Sequence, residues 1–311
     1  MTAKILVTGA SGNVGREVVK SLLAMGAAVR TTVFDAEDAG KVPGEDVEKV
    51  LFDFSKRETW APALTGIERL FLMRPPAIGD VAQYVNPVVD AAQAAGVQQI
   101  AFLSLLGVNP RTPHWQVEQK LLACDVPYTF LRPSFFMQNL NTFYGEGIRE
   151  RDEIYLPAGR GKTSFVDVRD IGAAAAVVLT QPGHAGKAYE LTGPEALDYY
   201  QVADIFTRVL GRRIVYTRPT PAEYARRLRE QGFPAEFIQV QGMLYFPVRM
   251  GWGAKITPEM EQLLGRPPRD MAQYVADYAD CWRTARSPAP TERSTRQWQP
   301  VGSLMRLLGV W

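Results

Sequence analysis

The stretch Lys4-Ile5-Leu6-Val7-Thr8-Gly9-Ala10-Ser11-Gly12-Asn13-Val14-Gly15 constrains the fold more than any other part of the 311-residue sequence. A short apolar, β-branched run breaks into glycines at a three-residue interval and then changes to helical periodicity, with Val14, Val18, Leu22 and Leu23 on one face. The pattern predicts a strand, a tight turn and a helix. Glycine permits positive φ in the turn and lets backbone approach a ligand closely, while the unpaired N–H groups of a new helix favour a phosphate. The spacing is G-x-x-G-x-x-G rather than the more familiar G-x-G-x-x-G, so context carries the reading. A strand precedes, a helix follows, and residues 28–34 supply a second strand. Gly9, Ser11, Gly12, Asn13, Val14 and Gly15 are thus candidate contacts in a dinucleotide seat; the alternative is that the glycines serve only tight strand–helix packing.

Strand-like segments at 47–52, 69–73, 99–104 and 128–131 alternate with helix-like segments at 56–64, 81–95 and 114–124. Such alternation builds a parallel sheet covered on both faces, a Rossmann-type doubly wound α/β fold. Residues 1–153 are the expected nucleotide-binding domain, completed by roughly 163–192. The pattern loosens after Asn139, with short strands expected at 153–156, 164–168 and 187–191 and an Ala-rich helix at 170–179. Helices at 199–210, 221–231, 236–245, 257–264 and 271–285, with a strand at 213–217, make 194–285 a smaller, mostly helical substrate region. Residues 286–311 read as a polar loop followed by an amphipathic tail through Leu304, Leu307 and Leu308.

Ligands of doubly wound sheets lie outside the carboxyl ends of the strands. That rule selects Phe34 and Asp35, Asp53 and Phe54, Arg74, Pro75 and Pro76, Ser104, and Pro133, Ser134 and Phe135 as further cofactor candidates. Composition narrows the partner. Charged residues make up 22% of the chain, the formal net charge is +2, and no run of five basic residues occurs, so a nucleic-acid tract is not expected. A small molecule is the expected partner. Cys124 and Cys281 cannot form a disulfide framework, and with only His114 and His184 there is no Cys/His metal spacing. The N-terminus runs directly into a strand, and no apolar run reaches the roughly 18 residues of a membrane span. A cytoplasmic monomer or homodimer is the expectation.

Read in order, Phe71-Leu72-Met73-Arg74-Pro75-Pro76, Phe102-Leu103-Ser104, His114-Trp115-Gln116-Val117-Glu118, residues 128–140 (YTFLRPSFFMQNL), Phe165-Val166-Asp167-Val168-Arg169-Asp170-Ile171 and Tyr189-Glu190-Leu191-Thr192-Gly193-Pro194-Glu195 give a specific set. With it the chain resembles the NmrA-like branch of atypical short-chain dehydrogenases/reductases over about residues 4–285. The resemblance implies an NAD(P)H cofactor and one of two activities. Members include reductases similar to quinone, azo-dye and triphenylmethane-dye reductases, and also nucleotide-sensing regulators without redox chemistry.

Ordinary short-chain dehydrogenases pair a serine with Tyr-x-x-x-Lys; at the matching place this chain has His114-Trp115-Gln116-Val117-Glu118. The phenol and its cation are both absent. His114 titrates near pH 6.5 in isolation and is either a proton donor or a helix-start residue bonded to a neighbour. Ser104 stands where the family's catalytic serine sits, and is either a substrate contact or a capping hydroxyl. Loss of the tyrosine matters least when hydride goes to a quinone, an azo or imine-like group or a cationic dye, since charge is then delocalised and orientation of two flat rings dominates. Phe136, Asn139, Phe143, Tyr245, Phe246 and Trp252 are candidate substrate residues for such an acceptor, with core packing the alternative for the aromatics.

Cofactor choice is open from sequence. Relatives that prefer the 2′-phosphate usually place an arginine where this chain has Phe34, and the ribose-gripping acid of NAD enzymes would fall on Val33. Asp35 is then a ribose acceptor or a phosphate repeller, Phe34 an adenine platform, and Lys41 a candidate phosphate partner; resemblance alone tips the balance slightly to NADP. Gly159-Arg160-Gly161-Lys162-Thr163 looks like the end of a nucleoside-triphosphate loop but is rejected, because the motif's first glycine falls on Leu156 and a strand-like segment follows.

Overall fold

The computed structural model describes residues 4–283; the expected loop and tail at 286–311 lie outside them. Seven strands form one parallel sheet: β1 Lys4–Val7, β2 Ala28–Val33, β3 Glu48–Leu51, β4 Arg69–Met73, β5 Gln99–Leu103, β6 Tyr128–Pro133 and, after the two-residue strand β7 Glu153–Ile154, β8 Lys187–Leu191. Their order is β3-β2-β1-β4-β5-β6-β8. Ile5 pairs with Val29 on one side and Arg69 on the other, so the winding direction reverses between β1 and β4. A crevice at the carboxyl ends is a consequence of that reversal.

Each face of the sheet buries its own apolar layer. Helices Asn13–Ala24 and Val168–Thr180 cover one face with Val14, Val18, Leu22, Ile171, Ala175 and Val178. The two helices touch backbone to backbone: a Cβ on Gly172 would lie 2.5 Å from the Glu17 carbonyl carbon. Helices Trp60–Leu64, Asn86–Ala94 and Pro113–Leu122 cover the other face. Residues 137–282 add a separate aromatic-rich core, in which β7 pairs with β9 Val215–Tyr216. Among the described residues, no helix is long and apolar enough to cross a membrane.

Several expected elements are cut short for identifiable reasons. Residues 164–168 form no strand; Phe136–Val166 and Thr163–Leu197 are isolated bridges. Asp167 ends the extended run by capping the Val168–Thr180 helix, its Oδ1 accepting from Arg169 N at 2.9 Å. The helix expected at 81–95 splits into Val81–Tyr84 and Asn86–Ala94, because Pro87 lacks an N–H and crowds the preceding turn. The segment at 271–285 likewise breaks at Tyr278 into Met271–Asp277 and Ala279–Trp282. In contrast, the helix expected at 236–245 continues as Ala235–Arg249, with Pro247 near its end.

Candidate active site

The turn after β1 is built by three different glycine roles. Gly9 adopts φ +66°, a region that L side chains rarely enter, and its carbonyl accepts from Gly12 N at 3.1 Å. Gly15 sits so close to that carbonyl that a Cβ there would overlap it. Gly12 caps the Asn13–Ala24 helix in ordinary extended geometry (φ −81°, ψ 173°). Thr8 fixes the turn against β4, donating to Phe71 O at 3.0 Å and accepting from Met73 N at 2.8 Å. The helix start has neither a side-chain cap nor an acidic residue in its first turn. Its leading N–H groups therefore present a positive end suited to an anion, flanked by half-buried Ser11 and Asn13.

After β2 the turn is acidic. Asp35 caps the short Ala36–Ala39 helix, accepting from Asp38 N at 2.8 Å, while the Asp38 carboxylate accepts from Phe34 N at 2.9 Å. Phe34 itself is 45% exposed. Lys41 pairs with Glu37 at 2.7 Å, so its cation is engaged within the same turn. Asp53, after β3, shapes its own loop by accepting from Ser55 N at 2.8 Å and Ser55 Oγ at 2.7 Å. Phe54 differs from expectation: it is buried edge-on against Phe52 and belongs to the core. Phe34→Arg adds a guanidinium beside the place expected for an adenosine ribose, and should shift selectivity toward NADP by about tenfold, the worth of one charge-assisted hydrogen bond. Dissociation constants for NADH and NADPH check this, and equal changes in both refute it.

Three buried polar atoms without hydrogen-bond partners lie on the next segments: Arg74 Nε, Ser104 Oγ and His114 Nδ1. The Arg74 Nη1 curls back onto the carbonyls of Pro75 at 3.0 Å, Pro76 at 3.2 Å and Ile78 at 2.7 Å. Burial lowers its pKa to about 10, which leaves it cationic at neutral pH. His114, in the first turn of the Pro113–Leu122 helix, is pushed down to about 3 by burial and then by the Arg74 charge. Its ring stands 6.2 Å from that of Phe102. Ser104 follows β5 directly and is buried. Glu118, where an ordinary dehydrogenase has its lysine, is buried and paired bidentately with Arg132 at 2.9 and 2.6 Å. It therefore holds the end of β6 to the Pro113–Leu122 helix, a partnership that no sequence spacing signals.

The imidazole result has a direct check. His114 should show no titration between pH 5 and 8 by NMR, because its folded value lies near 3. The unfolded chain protonates the same ring near 6.5, so stability is present above that pH and is lost as pH falls toward 3. A midpoint near 6 for His114 would refute the buried neutral assignment.

At the end of β6, Pro133 O accepts from Leu106 N at 2.9 Å and Ser134 Oγ meets Ser164 Oγ at 3.1 Å. Ser164 also donates through its N–H to Gly253 O at 2.9 Å. The Phe135 ring lies 6.3 Å from Tyr245, whose phenol bonds that of Tyr144. Gln138, missed by sequence reasoning, braces this corner through Asp167 Oδ1 at 2.9 Å and Val168 N at 3.0 Å. Asn139 opens the short Asn139–Thr142 helix.

Of the expected substrate residues, Phe143 lines a cavity of about 430 Å³ with Tyr144, Tyr155, Tyr224, Phe233 and Phe237. That cavity belongs to the second aromatic core and includes none of Gly12, Arg74, Ser104 or His114. Phe136, Tyr245, Phe246 and Trp252 do not line it. Phe136 packs into the sheet core and Tyr245 is buried behind Tyr144. Phe246 and Trp252 are 56% and 68% exposed, edge to face at 5.9 Å, and do not line that cavity. The cause is helical phase: within Ala235–Arg249, Gln241, Tyr245 and Val248 face inward, which turns Phe246 outward.

A reversing parallel sheet with a glycine turn leading to an uncapped helix defines a Rossmann-like α/β protein. Within that class, the NmrA-like family model matches residues 1–245, and the chain belongs to that family. An NAD(P)H azoreductase from Xenophilus azovorans is 31% identical over 287 residues, covering 90% of this chain and all of that protein. The NADPH complex of the quinone oxidoreductase QOR2 from Escherichia coli superposes with a TM-score of 0.80 at 27% identity, covering 88% of this chain and 99% of that one. The Citrobacter sp. triphenylmethane reductase complexed with NADP(H) gives 0.78 at 26% identity, with the same coverage.

Proposed function

We propose that the protein is an NAD(P)H-dependent reductase passing hydride to a flat conjugated acceptor of the quinone, azo or imine type. The observation that carries this reading is the group of unpartnered atoms on Arg74 and Ser104, which follow β4 and β5, and on His114 in the first turn of the Pro113–Leu122 helix, on the same sheet as an uncapped helix start. The residues fit a dinucleotide: first-turn amides of Asn13–Ala24 for the pyrophosphate, Phe34 and Asp35 toward the adenosine, and Arg74, Pro75, Ser104 and Phe135 toward the nicotinamide end. When bound, the nicotinamide supplies the hydride.

The side chains of this site orient and polarise more than they exchange protons. His114 is neutral at pH 7 and offers a hydrogen bond, because an imidazolium is not populated at a pKa near 3. The Ser104 hydroxyl donates to an acceptor oxygen or nitrogen, and the Arg74 cation favours negative charge developing nearby. A delocalised acceptor needs little else, since solvent completes protonation. His114→Ala should therefore lower quinone turnover only a few-fold, against about a hundredfold for loss of a general acid. A hundredfold loss with unchanged nucleotide affinity would make the histidine the proton donor.

Purified protein given NADH or NADPH and a panel of quinones, azo dyes and simple carbonyls tests the assignment. Reduction of conjugated acceptors in preference to carbonyls is the expected result. Nucleotide binding without oxidation of NAD(P)H by any acceptor would instead support the regulator reading, which the absent Tyr/Lys pair favours.

A further inference from the structure

The rejected triphosphate-loop segment at 159–163 lies against the end of the Ala235–Arg249 helix. The Gly161 backbone packs directly on the Val248 carbonyl, and a Cβ on Gly159 would meet Arg249 Cγ at 3.3 Å. A Cβ on Gly253 would meet Lys162 O at 3.2 Å, and Ser164 bonds both Gly253 and Ser134. Two hydrogen bonds thus tie this surface to the carboxyl end of β6. Arg160, Lys162 and Arg249 are all exposed on it, and none pairs with a carboxylate among the described residues. Arg160 stacks on Tyr200 at 5.2 Å.

Acidic side chains on the adjoining elements leave this charge uncompensated. Asp198 caps the Tyr199–Leu210 helix, Glu190 pairs with Lys255, and among the described residues Glu195 forms no ion pair with Arg160, Lys162 or Arg249. On the helix and turn that carry Arg249 stand the exposed Met243, Phe246, Met250 and Trp252, with Phe246 and Trp252 edge to face and Lys162 reaching the turn at Gly253. Apolar rings and unpaired guanidinium and ammonium groups on one rim match a planar aromatic that carries an anionic group.

We propose that this rim selects acceptors bearing a sulfonate or carboxylate, the ring against Phe246 and Trp252 and the anion toward Arg160, Lys162 and Arg249. The inference rests on the reductase reading. It excludes cationic triphenylmethane dyes as preferred substrates, because the same charges repel them.

The test compares naphthoquinone with a sulfonated naphthoquinone, using wild type and the combined Arg160→Gln, Lys162→Gln, Arg249→Gln variant. KM for the sulfonate should rise about tenfold in the variant while KM for the neutral quinone stays within about twofold, kcat remaining similar for both. In wild type, KM for the sulfonate should also climb with salt. Equal changes for both acceptors, no change, or better use of a cationic dye by wild type would overturn the proposal. Calorimetry with naphthalene sulfonate and with neutral naphthol separates the two readings. Sulfonate binding that the variant weakens about tenfold, without any turnover, would remove the reductase function and keep the rim; reduction of naphthoquinone with sulfonate binding equal in both proteins would do the reverse.

Discussion

Gly12→Val should weaken nucleotide binding by on the order of a hundredfold while leaving the melting temperature near wild type, since one or two charge-assisted contacts are lost. The two halves of this result follow from different observations. Gly12 has φ −81° and ψ 173°, a conformation any residue adopts, so the backbone tolerates the substitution. A branched side chain at the cap nevertheless stands beside the first-turn amides, where an anion must come close. Gly15→Val is the contrasting control: its Cβ overlaps the Gly9 carbonyl, so fold and binding should fail together. Calorimetry with NADPH and a thermal melt on each variant decide the matter. Unchanged affinity in Gly12→Val would dismiss the helix start as the pyrophosphate seat.

Asp170→Ala should cost about 1–3 kcal/mol of stability, the range for hydrogen-bond donors left without their acceptor, because the Arg266 and Arg269 side chains it abandons stay partly open to solvent. Asp170 is fully buried; its Oδ1 accepts from Arg266 Nη2 at 2.6 Å and also from Arg269 Nη1, and its Oδ2 accepts from Arg269 N at 2.7 Å. Truncation leaves a part-buried amide and two part-exposed cations without their acceptor. Urea unfolding measures the loss, and Asp170→Asn, which retains an acceptor for the Arg269 amide, should lose less. A change below about 1 kcal/mol would mean that solvent replaces the carboxylate.

Strands β1 to β6, the glycine turn and the helix after it were legible because periodicity and glycine spacing act locally. Element ends were less so: Pro87 and the Asp167 cap overrode apolar patterns that looked continuous. Roles set by distant partners left no trace at all. Nothing near Glu118 announces Arg132, and nothing near His114 announces a proton affinity lowered by burial and Arg74. Phe246 and Trp252 are candidate pocket aromatics by sequence, yet helix phase turns Phe246 outward and Trp252 sits exposed in the turn that follows the helix. Their neighbours in the discarded glycine loop then supply charge that a motif search had no reason to retain.

The contact between Gly172 and Glu17 sets an order of events during synthesis. The glycine turn and its helix leave the ribosome early, but the helix that covers Val14, Val18 and Leu22 is made only when translation reaches residues 168–180. Until then the Asn13–Ala24 helix covers that face of the sheet alone, and its own buried side lacks a buttress. That apolar layer is therefore completed only once Thr180 has emerged, and part of it stays exposed to neighbouring chains through the middle of synthesis.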